Sequence, residues 1–385
     1  MKQHIIDPEL CIRCHTCEEA CPIGAITHDD NNVVVNPDTC NFCMDCISPC
    51  PTGSIDHWRI VDKPYSLEEQ FTWLEMPEEA QTEEVLDETL GSVESLIDTA
   101  HSSMATKAPA SATIPSTNLF SAKKPAKSVV QGNYSLTTDG SDVDIHHIIL
   151  SLGDIHFPIL EGQTVGIIPP GTDANGRLHT PRLYSVSSPR DGERPSTNNL
   201  SLTVKREESG VCSNYVCDLK KGDSVELLGP FGSTFLIPSD LTTKLLMICT
   251  GTGSAPFRAF AMHRQRACPD LENSMTLYFG ARTPDSLPYF GPLKKMPSTF
   301  LQTHFAFSRI PNEPKAYVQD KMRENGASVL EALRDKNTHI YICGLKTMED
   351  GVEQAFKDIA RGGGLTWEEL QKEMLQEGRY HIETY

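Results

Sequence analysis

Eight cysteines crowd into the first fifty residues, and their spacing is regular. Cys11, Cys14, Cys17 and Cys21 run up to Pro22, and Cys40, Cys43, Cys46 and Cys50 run up to Pro51. Each block continues alike, Pro22-Ile23-Gly24-Ala25-Ile26 against Pro51-Thr52-Gly53-Ser54-Ile55, so the segment is an internal duplication. Two-residue gaps let a tight loop aim three thiolates and several backbone N–H groups at one centre, while the fourth cysteine leaves that loop. The chain holds 13 cysteines, an odd number, which excludes complete disulfide pairing within it. Zinc sites usually take pairs of Cys-x-x-Cys separated by a longer insert, whereas both blocks carry the full four-thiolate pattern. Iron–sulfur chemistry fits that pattern best, and free thiolates suit a reducing cytoplasm.

The run is similar to that of the bacterial two-cluster ferredoxins, where three cysteines wrap one cubane and the fourth ligates the other. The resemblance implies that Cys11, Cys14, Cys17 and Cys50 hold one [4Fe–4S] cluster. Cys40, Cys43, Cys46 and Cys21 would hold a second.

A different chemistry begins at Lys244-Leu-Leu-Met-Ile-Cys-Thr250, followed by Gly251-Thr252-Gly253-Ser254-Ala255-Pro256-Phe257-Arg258. A strand feeding a glycine turn and then a helix presents unpaired N–H groups and a positive dipole end to a phosphate. Pro256 stands where a third glycine would complete Gly-x-Gly-x-x-Gly, and its missing donor suits a first helical turn. Around this turn lie Arg182-Leu183-Tyr184-Ser185, Val204-Lys205-Arg206, Gly210-Val211-Cys212-Ser213, Phe307-Ser308-Arg309, Tyr317-Val318-Gln319, Cys343-Gly344 and the terminal Tyr380-His381-Ile382-Glu383-Thr384-Tyr385. This ordered set resembles the plant-type ferredoxin–NADP reductase family from about residue 130 to 385.

That resemblance implies FAD and NADPH. Arg182 and Leu183, Lys205, and the backbone of Gly210, Val211, Cys212 and Ser213 would bind FAD, with Arg182 and the glycine turn on its pyrophosphate. Tyr184 would pack on the flavin ring, Ser185 would bond near N5, and Tyr385 would cover the opposite face. Cys343, beside Gly344, would line the nicotinamide pocket, and Glu383 would balance charge and protons. Ser185, Cys343, Glu383 and Tyr385 are thus the implied catalytic set. Thr252 and Gly253 form the nucleotide turn; Ser308 and Arg309 would take the NADP 2′-phosphate, and Tyr317 and Gln319 the adenine. The strand ending Gly280-Ala281-Arg282 carries no acid for a ribose diol, which favours NADPH over NADH.

These centres need elements to hold them. At 385 residues the chain is long enough for two or three domains. The expected fold class is multidomain: an α+β ferredoxin-like 2[4Fe–4S] module over 1–62, a linker over 63–129, an antiparallel β-barrel FAD domain over 130–240, and an α/β parallel-sheet NADP domain over 241–385. The barrel is read from short punctuated apolar runs such as Val143–Leu152, Gln163–Ile168 and Ser224–Leu228, and the parallel sheet from runs alternating with helical segments. Within the linker, Ser66–Asp98 carries eleven acids and no Lys or Arg. Its apolar residues recur near helical spacing over 83–98; residues 101–128, rich in Ala, Ser, Thr, Pro and Lys, read as a flexible tether. His146, His147, Trp58, Cys217, Cys249 and Cys268 read as packing residues.

The net charge of −18 argues against nucleic acid as a partner. No apolar run approaches the roughly 20 residues of a spanning helix, and no apolar signal core precedes Cys11, so a cytoplasmic location without membrane insertion is expected. A ferredoxin module followed by an acidic tether and a plant-type reductase also resembles the reductase components of benzoyl-CoA 2,3-epoxidases, which serve aromatic catabolism. That likeness implies a separate di-iron oxygenase as electron acceptor. A general NADPH–ferredoxin oxidoreductase with a built-in carrier is the alternative.

Overall fold

A computed structural model describes residues 2–77, apart from 44, 48, 53, 56, 57 and 62, and residues 107–385, apart from 139 and 173–178. The chain divides into two compact units, Met1–Thr82 and Glu83–Tyr385. The helix expected over 83–98 lies outside the described residues.

In the first unit, β1 (Lys2–His4) pairs antiparallel with β4 (Trp58–Ile60), and β2 (Ile26–His28) with β3 (Val33–Val35). A short helix, α1 (Thr16–Glu19), follows the first cysteine loop. Ile6, Ile26, Val33, Val35 and Ile55 form a small core into which Cys17 and Cys46 project. The unit does not stop at residue 62. Ser66 and Glu69 form a capping box on α2 (Leu67–Phe71). The Gln70 side chain then bonds the backbone of Val35 in both directions, at 2.9 and 3.2 Å. Asn32 Nδ2 donates to the carbonyls of Gln70, Phe71 and Trp73, closing the end of that helix. Residues 63–77, read from composition as linker, are therefore tied to the cysteine module.

The second unit has two layers. The first is an antiparallel sheet in the order β8-β7-β10-β5-β6-β9, built from β5 (Ala126–Ser135), β6 (Ile145–Ser151), β7 (Thr164–Ile167), β8 (Arg182–Ser185), β9 (Asn199–Lys205) and β10 (Ser224–Phe231). Its ends meet: Val186 bridges Leu202, and Ser187 N donates to Ser201 O at 2.8 Å, so the sheet curls round Val130, Ile148, Leu150, Val165, Leu202 and Val225. The short helix α3 (Val211–Asp218) covers one end of this core. β5 alternates buried and exposed residues, as a strand with one wet face must.

The second layer is a parallel sheet in the order β13-β12-β11-β14-β15: β11 (Lys244–Thr250), β12 (Met275–Ala281), β13 (Gln302–Phe307), β14 (Thr338–Gly344) and β15 (Tyr380–Thr384). Both faces are covered. Leu246, Ile248, Ile340 and Ile342 pack on α6 (Val318–Glu324), α7 (Gly326–Arg334), α8 (Lys346–Gly362) and α9 (Trp367–Gln376). Leu245, Met247, Leu277 and Tyr341 face α4 (Ala255–Ala267) and α5 (Phe290–Lys295). Such two-sided burial explains the near-continuous apolar runs of β11 and β14. Cys217 and Cys249 are buried, and His147 sits in a buried network with Tyr289, 2.9 Å away, and Glu193.

The stretch expected as tether ends earlier than residue 128. Phe120 exchanges both backbone hydrogen bonds with Gly229, at 2.9 and 2.8 Å, and stacks on Phe157; Ser116 O accepts from Gln163. Ala112 also bridges Pro238, and Asn118 N donates to Pro230 O at 2.9 Å, so most of this arm is seated on the sheet. No helix among the described residues is long and apolar enough to cross a membrane.

Candidate functional site

A cavity of about 260 Å³ lies at the base of the parallel sheet, but the larger one, about 600 Å³, opens between the two layers. One wall of the larger cavity comes from the curled sheet. β8 supplies Arg182, Leu183, Tyr184 and Ser185, and β9 supplies Thr203, Val204 and Lys205. The turn into α3 adds Gly210, Val211, Cys212 and Ser213. Gly210 caps α3 with no side chain, so the first N–H groups of that helix face outward unpaired by a cap. The other wall is the carboxyl edge of the parallel sheet, with Thr252, Cys343, Glu383, Thr384 and Tyr385. Strand order reverses at β11 and β14, and ligands of open α/β sheets bind in the crevice beyond such a reversal.

Local chemistry explains how these residues converge. β11 ends in a one-turn 3-10 helix, Gly251–Ser254, that runs into α4 with Pro256 in its first turn. A Cβ on Gly253 would collide with the Cys343 carbonyl, so only glycine lets the turn approach β14. Gly344 has φ +145, and a side chain there would strike Thr250 Oγ1. The β14–β15 register sets Cys343 opposite Glu383. Tyr385 N donates to Gly344 O at 2.9 Å, and the Tyr385 hydroxyl shares a 2.7 Å hydrogen bond with Thr252. All four residues of the implied catalytic set therefore line one cavity.

Burial tunes their protons. Glu383 is 5% exposed, Oε2 has no partner among the described residues, and burial pushes its carboxyl up to about 8. It is neutral near pH 7. Cys343 is buried beside it, and burial, reinforced by Glu383, holds the thiol well above its usual range. Tyr184 and Cys212 are likewise raised by burial, so neither ionises near neutrality.

The residues expected for the nucleotide's far end sit elsewhere on the same carboxyl edge. Ser308 N donates to Ala281 O and Arg309 N to Arg282 O, which ties the ends of β13 and β12 together. Tyr317 caps α6 and is 46% exposed; Gln319 follows on that helix against Gly351. Sequence reading missed several cavity residues, among them His179, Thr180 and Glu207. Thr180 Oγ1 accepts from Arg182 Nη1 at 2.7 Å and so sets the guanidinium. Only their adjacency to Arg182 and Gly210 could have flagged them.

In the first unit all eight block cysteines are free. Burial raises Cys17 to about 11, helped by Cys11 and Cys50, whereas hydrogen bonding with Thr16 lowers the exposed Cys14. Burial raises Cys46 to about 11 too, helped by Cys40, Cys43 and Cys21, and those last three line one hollow with Cys46. At Cys50 burial opposes ionisation, but hydrogen bonds from Ser54, Ile55 and Thr52 outweigh it and bring the thiol down to about 7. Arg13 and Phe42, at equivalent places in the two blocks, both take left-handed backbone (φ 56 and 59). Cys21, Cys40, Cys43 and Cys46 thus share one hollow, while Cys11 and Cys50 act on Cys17. Iron bound here would favour the thiolates that burial disfavours at Cys17 and Cys46.

Two family descriptions match the chain: a 4Fe-4S binding domain over residues 4–27 and an oxidoreductase NAD-binding domain over 247–354. The cyanelle ferredoxin–NADP reductase of Cyanophora paradoxa is 38% identical over 287 residues, covering 70% of this chain and 78% of its own. This chain belongs to the ferredoxin–NADP reductase family. The reductase of Synechocystis is 36% identical over 70% of this chain and 69% of its own. Among solved structures, the reductase of Plasmodium falciparum matches with a TM-score of 0.57, 28% identity, and coverage of 70% of this chain and 99% of that one. A structure of the same enzyme with 2′P-AMP matches with a TM-score of 0.55. The family brings FAD and NADP(H), and the chain is an NADPH oxidoreductase with a ferredoxin-type [4Fe–4S] module at its N-terminus.

Proposed function

We propose that this chain is the reductase component of a benzoyl-CoA-epoxidising system, carrying electrons from NADPH through FAD and two [4Fe–4S] clusters to a separate di-iron oxygenase in the cytoplasm. The observation that carries the reading is covalent. A chain of the ferredoxin–NADP reductase family here carries two four-cysteine blocks on its own polypeptide. FAD, when bound, takes two electrons together from NADPH and releases them singly, which matches a two-electron donor to one-electron clusters.

The cavity residues support that cofactor. Arg182 and the N–H groups at Gly210–Ser213 would hold the pyrophosphate, with Lys205 beside them. Tyr184 and Tyr385 approach from opposite walls, where they would enclose a flat ring and exclude water; Tyr385 must swing aside for nicotinamide. The Ser185 hydroxyl would bond the reacting edge of the ring, Cys343 would position nicotinamide, and neutral Glu383 would hold a proton beside both. Ser308 and Arg309 would take the 2′-phosphate, and Tyr317 and Gln319 the adenine. One polypeptide holding both modules raises their effective concentration for each other.

The acceptor reading rests on module order. The chain has no Glu-x-x-His sequence with which to build its own di-iron site, so oxygen chemistry belongs to a partner. With NADPH, O₂, benzoyl-CoA and a purified di-iron oxygenase, NADPH consumption should match epoxide formation one to one. Brisk cytochrome or ferredoxin reduction without coupled epoxide would instead support a general NADPH–ferredoxin oxidoreductase, the reading that the relatives' own name favours.

A further inference from the structure

Asp142 lies in the loop between β5 and β6, on the curled sheet. Its Oδ2 accepts from Arg282 Nη1 at 2.7 Å and from Arg309 Nη1 at 2.9 Å. The Asp142 carbonyl takes a further bond from Arg282 Nη1 at 3.3 Å. Both arginines stand just beyond the ends of β12 and β13, joined by the Arg309 N to Arg282 O bond. Two guanidiniums converging on one oxygen repel each other and are held together by the anion between them. All three side chains are partly open to solvent, at 38%, 57% and 43% for Arg282, Arg309 and Asp142. Solvent screening makes such a bridge weak, so an incoming anion can displace the carboxylate.

We infer that Asp142 is an internal stand-in for the 2′-phosphate of NADPH: a latch from the flavin layer that occupies the Arg282–Arg309 pair and must be released when that phosphate binds. The inference rests on the reading of Ser308 and Arg309 as the 2′-phosphate site, and it adds Arg282 as a second guanidinium and Asp142 as the competitor. A phosphate monoester dianion carries about twice the charge of a carboxylate and three acceptor oxygens, so it outcompetes Asp142. An NADH ribose, with only hydroxyls, gains nothing from opening the latch. Asp142 thereby sets how strongly the enzyme prefers NADPH, and does so by restraining that preference.

The test is calorimetric binding of 2′-phospho-AMP and of AMP to the full holoprotein, with kcat/KM for NADPH and NADH as the second readout. Asp142→Asn keeps the side-chain shape and removes the charge. It should tighten 2′-phospho-AMP about three- to tenfold at low salt, leave AMP within about twofold, and raise the NADPH/NADH ratio of kcat/KM correspondingly. Arg282→Ala should weaken 2′-phospho-AMP at least about fivefold. If Arg309→Ala weakens 2′-phospho-AMP while Asp142→Asn leaves it unchanged or weaker, the latch is wrong and the phosphate site stands. If Arg309→Ala has no effect on 2′-phospho-AMP, the phosphate site itself is wrong, and the latch falls with it.

Discussion

Replacing Cys50 by Ala should remove about four of eight irons per chain and cut electron delivery to a protein acceptor at least about hundredfold, more than any single side chain near the flavin. The reason is the crossed ligation that the ferredoxin resemblance implies. Cys50 sits in the second block by sequence, yet it is with Cys11 that it acts on Cys17. The Cys11→Ala,Cys50→Ala double variant should therefore lose no more iron than Cys50→Ala alone. Pairing Cys50→Ala with Cys21→Ala should strip nearly all iron, because Cys21, in one hollow with Cys40, Cys43 and Cys46, would ligate the other cluster. NADPH oxidation with a small dye that reacts at the flavin should persist in every variant, since the cavity lies wholly in the other unit. Iron analysis and the two acceptor assays read these outcomes directly. Equal iron loss from both double variants would contradict the crossed assignment.

The second large effect concerns Glu383. Its carboxyl, raised to about 8 by burial, is protonated at neutral pH and loses its proton only as the pH passes that value. If it serves the flavin as a proton holder, NADPH-driven turnover falls as pH rises through 8. Glu383→Gln keeps the volume and the neutral charge but has no proton to give; turnover at pH 7 should drop roughly ten- to hundredfold, and the limb near pH 8 should vanish. Stability should fall over the same rise in pH. A carboxyl with a raised folded-state value contributes fully below the ordinary carboxylate range and loses that contribution as pH rises through 8. Wild type should accordingly lose thermal stability relative to Glu383→Gln between pH 5 and 8.5, which thermal melts can follow. An unchanged pH profile in the variant would remove Glu383 from the chemistry.

Much of this site was legible because its ligands are local. Three cysteines spaced three positions apart need only one loop, and the glycine turn after β11 needs only a strand and a helix. Tyr385 and Glu383 were placed by the family ending, and the β14–β15 register then explains why Glu383 meets Cys343. What composition hid was long-range and polar. The extension of the cysteine unit to residue 77 depends on Gln70 mimicking a strand against Val35, 35 residues away. The arm before β5 is seated by Phe120 and by backbone pairing amid residues that read as tether. Asp142 and Arg309 are 167 residues apart, and no spacing rule joins them. Sequence periodicity reports which face an element buries, not which polar side chains later meet.

The central claim is that one chain passes NADPH electrons from a flavin to its own iron–sulfur module. The most direct measurement is an anaerobic NADPH titration of the intact holoprotein, followed by visible spectra and low-temperature EPR. Loss of flavin absorbance near 450 nm together with the appearance of a reduced-cubane signal is the result predicted here. Flavin bleaching with the clusters remaining oxidised, even after one-electron mediators are added, would contradict it.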